Sequence, residues 1–336
     1  MKKILVIRHD KIGDFVLTWP ALYLLKTAYP EAEIDVFIAP IMKEFALRCP
    51  YIDNIIIDNG DDDAISTEIH KNNYDAAIVA LSRYRIYKIL KPCNIPYMLV
   101  PKVGWYQYFY TYRVDHSFDR AKPMRRASCK LVDHFLTTHN VNIPELPKKL
   151  WNIDSEKDKW RKYYHQQGNE KLIFVHAGTG GSSGAVAEND LATLVQAINA
   201  KTKVDCRFIL TFGKNEIVIA ERIMSTLSNT EIKIELATPL DNLADFAESI
   251  VAADIFIAGS TGPIHIAGLH NVPTVGFYAG RRSAPHIRWQ TLTEESKRLH
   301  FMPPIGRKTG RDMSLINFKQ AAEDISSLLD RLYIKN

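Results

Sequence analysis

The chain has 336 residues, 46% of them hydrophobic and 24% charged, with a formal net charge of +5. That balance excludes a disordered or fibrous polypeptide, and the length exceeds what one small core organises, so two domains are expected. Four scattered cysteines (Cys49, Cys93, Cys129, Cys206) show no C-x-x-C spacing, which argues against a zinc site or disulfide framework and fits a reducing compartment. No apolar stretch approaches bilayer-crossing length, and the opening run at 4–7 is too short for the core of an export signal.

In chain order, the run I-L-V-I at 4–7 is followed by the polar turn R-H-D-K-I-G-D at 8–14 and a helical pattern over 15–28. A buried-type strand, a glycine-containing turn and a helix predict the first βα unit of a parallel sheet. Asp14 then stands beyond the carboxyl end of a strand, where ligands sit in such sheets, although an N-cap role suits the same residue type. Strands over 33–39, 54–58 and 76–81 alternate with helices near 42–48 and after 61–63, the rhythm of a doubly wound sheet.

The stretch 104–113, G-W-Y-Q-Y-F-Y-T-Y-R, places six aromatics in ten positions. It reads as core, as a sugar-stacking wall or as a membrane-interface lip. Around it, 83–130 is rich in Arg and Lys, with Asp115 and Asp119 its only acids, so an anionic partner is expected. An amphipathic helix over 124–140 closes the first half. The paired prolines at 144 and 147 mark a boundary.

The pattern then restarts. A helix over 155–167 precedes strands over 171–175, 206–212, 232–236, 255–258 and 273–278. Helices at 188–200, 215–227 and 240–252 and a short helical spacing over 264–269 lie among them. A helix-period stripe occupies 314–333. The inferred class is α/β: two Rossmann-like domains facing each other across a cleft, covering 1–150 and 151–313, followed by a C-terminal helix over 314–336.

Two loops in the second half suit ligands. H-A-G-T-G-G-S-S-G at 176–184 follows a strand and precedes a helix, so its glycines allow close backbone approach to an anion. It lacks the G-K-[ST] ending of a P-loop and the G-x-G-x-x-G spacing of a dinucleotide fold. G-S-T-G-P-I-H-I-A at 259–267 sets Pro263 in a first helical turn, with Ser260 or Thr261 as cap. His265 falls near the positive helix end, which favours a neutral ring.

The motifs R-H-D-K-I-G-D-F-V-L-T-W-P-A-L, V-H-A-G-T-G-G-S-S and S-T-G-P-I-H-I-A-G-L-H-N-V-P-T-V-G-F-Y-A-G, in this order, resemble glycosyltransferase family 9, which contains the ADP-heptose:lipopolysaccharide heptosyltransferases. The resemblance covers nearly the whole chain and implies a GT-B fold, with the C-terminal helix packing back toward the N-terminal domain. It implies a metal-independent inverting transfer of heptose from ADP-heptose to an inner-core lipopolysaccharide hydroxyl. Asp14 matches the catalytic base. Donor contacts map onto Thr179, Gly180, Gly181, Ser182, Ser183, Ser260, Thr261, Gly262 and His265. No cofactor is implied. Lys11, Arg125 and Arg126 are expected to meet the anionic lipid A-core acceptor. The location implied is the cytoplasm, with peripheral contact on the inner membrane.

Two departures from the family pattern matter. Ser260 stands where many members carry an aspartate that helps hold the donor sugar, which leaves the sugar open. Gly184-Ala-Val-Ala replaces a lysine and tryptophan, so phosphate charge falls to loop N–H groups and hydroxyls, or to Lys11, Lys214 or Arg281. The alternatives are a family relative using another nucleotide sugar or acceptor, and a nucleic-acid-binding protein built on the basic, aromatic segment.

Overall fold

A computed structural model describes residues 1–115, 124–178, 184–281 and 285–334, with backbone alone for 124–127. The chain divides into two compact units, 1–151 with 242–244, and 152–241 with 245–336. In the first unit the elements run β1 (Lys3–Ile7), α1 (Ile12–Val16), α2 (Trp19–Ala28), β2 (Glu33–Ile38), α3 (Lys43–Ala46), β3 (Asn54–Ile57), α4 (Asp62–Asn72) and β4 (Ala76–Val79). They continue with α5 (Tyr84–Leu90), β5 (Tyr97–Pro101), β6 (Tyr112–Val114) and α6 (Met124–Thr138). The six strands are parallel, in the order β3-β2-β1-β4-β5-β6.

The second unit follows with α7 (Lys157–Tyr163), β7 (Lys171–Ala177), α8 (Glu188–Lys201), β8 (Cys206–Phe212), α9 (Ile217–Leu227), β9 (Ile234–Leu236) and α10 (Leu243–Ser249). Then come β10 (Ile255–Gly259), α11 (Gly262–Leu269), β11 (Thr274–Phe277), β12 (Arg298–Phe301) and α12 (Phe318–Tyr333). Its six strands are also parallel, in the order β12-β11-β10-β7-β8-β9. The expected α/β class is present in both units.

Local chemistry explains the main differences from the sequence reading. The pattern over 15–28 is two helices rather than one. Pro20 cannot donate an N–H and sits at the start of α2, and the chain breaks at Leu17–Thr18. Thr18 Oγ1 donates to the Asp14 carbonyl at 3.0 Å, which secures the corner. Strands β5, β6 and β12 fall outside the expected set. β5 is flanked by Pro96 and ends on Pro101, and proline argues against a strand interior, while β12 is a part-exposed edge.

Burial explains the rest. In the first core, Leu5, Ile7, Phe37, Ile65, Ala77 and Ile86 interlock on one face of the sheet. In the second, Val175, Leu194, Phe208, Ile257 and Phe277 meet Ala322, Ile325 and Leu329 of α12. The stripe of α12 is therefore used inside the second unit, against α8. Periodicity shows which face is buried but does not name its partner.

Candidate active site

Each sheet reverses its order once, and loops at the carboxyl side of such a switch point form the ligand crevice of doubly wound folds. In the first sheet the reversal lies between β1 and β4, paired through Ile7 and Val79. The 8–14 turn leaves β1 there. In the second sheet it lies between β7 and β10, paired through His176 and Ala258. Both loops singled out in the second half leave these two strands.

At the first switch point Arg8 organises the turn. Its side chain is 7% exposed and reaches Asp14 Oδ1 through Nη2 at 2.7 Å and Asp10 Oδ1 through Nε at 2.8 Å. Nη1 donates to the Ala80 carbonyl beyond β4 at 3.2 Å, which ties the two strand ends together. Asp14 lies in the first turn of α1, but Lys11 occupies the N-cap position, so Asp14 is not the cap. Burial pushes the Asp14 carboxyl above the usual carboxylate range. Arg8 opposes that shift, while Asp10 adds to it. Lys11 is exposed. His9 packs on Phe37 with ring centroids 5.4 Å apart, and burial lowers its pKa.

At the second switch point Thr261 has N-cap backbone geometry at the start of α11, yet its side chain makes no capping bond and its buried Oγ1 lacks a partner among the described residues. Capping by Thr261 is thus corrected. Gly262 opens the helix. His265 is buried, and its Nδ1 also lacks a partner among the described residues. Its pKa is pushed down to about 4 by burial, so the ring is neutral as expected, with desolvation the cause. Ser260 sits half-buried between β10 and α11.

The Gly/Ser loop begins at Gly178, whose φ of +108° is open to glycine almost alone. A Cβ there would lie 2.2 Å from the Glu216 carboxyl carbon. Glu216 Oε2 also accepts from Gly213 N at 3.2 Å, so this carboxylate spans the ends of β7 and β8. His176 Nδ1 lies 3.0 Å from Thr211 Oγ1 just beneath, and burial drives its pKa down to about 4. Thr179, Gly180, Gly181, Ser182 and Ser183 lie outside the described residues, as do the side chains of Arg125 and Arg126.

Lys214 is exposed one residue beyond Gly213. Arg281 is half-buried beyond β11, its Nε without a partner among the described residues. Arg8, His176, Thr211 and Glu216 were missed as site residues. Only Arg8 carried a signal, a cation closing a buried strand with acids two and six positions on.

The architecture is that of a GT-B glycosyltransferase. A model of glycosyltransferase family 9 (heptosyltransferase) matches residues 65–300, and the chain belongs to that family. A Haemophilus influenzae protein, named only as a candidate glycosyltransferase, is 33% identical over all of this chain and 98% of its own. The structure of E. coli ADP-heptose lipopolysaccharide heptosyltransferase II superposes with a TM-score of 0.79 at 19% identity, covering 99% of each chain. E. coli heptosyltransferase WaaC with ADP gives 0.73 at 15% identity, covering 97% of this chain and 99% of that one.

Proposed function

We propose that the protein transfers heptose, with inversion, from ADP-heptose to a hydroxyl of an anionic lipopolysaccharide inner core. The observation that carries this is Asp14: a half-buried carboxylate at a switch point, its pKa raised by desolvation and its oxygen held by Arg8, in a family of glycosyltransferases. Asp14 takes the acceptor hydroxyl proton as that oxygen bonds to the anomeric carbon from the face opposite the leaving group. The bond from carbon to the diphosphate oxygen breaks, and ADP departs with the electron pair. Asp14 then returns its proton to solvent.

The uncapped start of α11 presents backbone N–H groups and a positive helix end to the leaving diphosphate. Thr261, Gly262 and the neutral His265 serve as donor contacts, with Ser260 beside them and 179–183 as the phosphate loop. Arg281 supplies the cation, a reading supported by its buried Nε, which has no partner among the described residues. The enzyme works in the cytoplasm, at the membrane that holds its lipid acceptor.

A thermal-shift panel of ADP, UDP, GDP, CMP and NAD tests the donor. ADP alone is expected to raise the unfolding midpoint; selective stabilisation by UDP or NAD overturns the reading. On the acceptor side, Lys11, Arg125 and Arg126 hold phosphates or carboxylates. Charge reversal at Arg125 and Arg126 is expected to raise acceptor KM severalfold with donor KM unchanged. An unchanged acceptor KM removes them from that role.

A further inference from the structure

The aromatic stretch of the first unit divides sharply. After β5 the chain turns at Gly104 into a short 3-10 turn, Trp105–Phe109. Gln107 is 1% exposed: its Oε1 accepts from Gly104 N, and its Nε2 donates to Ser82 Oγ at 2.9 Å. Tyr106 Oη donates to the Ser82 carbonyl at 2.8 Å. With those residues and the buried Tyr110 as anchors, the intervening rings face outward. Trp105 is 66% exposed, Tyr108 63% and Phe109 51%. Trp105 meets Tyr84 of α5 with centroids 5.7 Å apart and Phe109 at 5.9 Å, so the rings form one continuous patch. Held rigidly and unused by the core, such a patch marks an interaction surface.

Its charge is one-sided. No Asp or Glu occurs between Asp75 and Asp115, while Arg83, Arg85, Lys88, Lys91, Lys102 and Arg113 lie in that interval. Arg85 is neutralised by Asp58 and Asp62, both 2.7 Å away. The other five cations are exposed. Arg113 lies over the Tyr108 ring at 4.4 Å and Lys88 over Tyr84 at 5.8 Å. A sugar platform needs amides or carboxylates beside the ring to take hydroxyls, and the one amide in this turn points inward. Trp and Tyr rings rimmed by cations suit the headgroup layer of an anionic bilayer.

We propose that the ring cluster centred on Trp105 and Phe109, with Lys88, Lys102 and Arg113 at its rim, docks on an anionic phospholipid bilayer. Its segments follow β4 and β5, and Asp14 follows β1, so docking surface and base share the carboxyl edge of one parallel sheet. That alignment gives the surface its purpose under the proposed function, in which the acceptor is lipid-anchored. Vesicle binding itself stands apart from that reading.

The test is sedimentation of the full chain with vesicles of phosphatidylcholine alone or mixed with phosphatidylglycerol. Binding is expected only to the mixed vesicles, weakening with salt. A Trp105→Ser, Phe109→Ser double variant is expected to lose at least about tenfold in vesicle affinity. Lys88→Gln and Arg113→Gln are each expected to lose about fivefold. All should keep the wild-type unfolding midpoint and ADP-induced shift. The proposal is overturned if the wild-type chain stays in solution or if the variants bind as tightly as it does. It is also overturned if a single-stranded RNA oligonucleotide displaces the vesicles and shows the same variant sensitivity. Intact ADP stabilisation without vesicle binding sinks this proposal alone; vesicle binding without ADP stabilisation sinks the proposed donor alone.

Discussion

Asp14→Asn is expected to lower kcat by roughly 10²–10⁴-fold, the usual contribution of a general base, while leaving ADP-induced stabilisation intact. Asparagine keeps the shape of the side chain and can still accept from Arg8, but it cannot take a proton. Stability supplies a second readout. The folded-state pKa of Asp14 lies above its ordinary 3.8, so its stabilising contribution is full below 3.8 and is lost as pH rises through the raised value. At neutral pH the buried charge is a burden that asparagine does not carry. The variant is therefore expected to be at least as stable as the parent at pH 7, its relative stability rising across that window. A structural carboxylate with a depressed pKa would show the opposite sign. Wild-type turnover in the variant, measured with sugar nucleotide and acceptor, would remove Asp14 from the mechanism.

How far this was legible in the sequence depends on the range of the interaction. Runs such as Ile4–Ile7 and the Cys206–Phe212 strand announce themselves because buried parallel strands are predominantly apolar. Strand order is carried by long-range pairing, yet alternation of strands and helices leaves few alternatives. The α12 stripe showed its buried face and not its partner. Within 104–113 composition could not separate core from surface. That split hangs on Gln107 and Tyr106 reaching Ser82 from more than twenty residues away. For Arg8 the sequence showed the spacing to two acids but not the outcome: its role depends on Asp10, Asp14 and the Ala80 carbonyl converging once β1 and β4 pair.

Removing that convergence has the second large effect. In Arg8→Met, Asp14 loses both the charge and the hydrogen bond that hold its pKa down, while burial and Asp10 still push it up. With that opposite charge gone, the acid limb of the kcat/KM profile is expected to move to higher pH. The loss is therefore pH-dependent: largest on the acid side of the profile and shrinking as rising pH ionises Asp14. Stability is expected to fall, by less than the roughly 3–5 kcal/mol of a fully buried pair, because Asp10 and Asp14 lose their cation while 17% and 13% exposed. Arg8→Lys keeps the charge but not the fork that reaches both carboxylates and the Ala80 carbonyl, so its limb should fall between those of parent and methionine variant. A rate loss equal at every pH, with the acid limb unmoved, would show that Arg8 only braces the turn. A limb that moves and recovers identifies it as the positioning residue that keeps a buried carboxylate ionised at working pH.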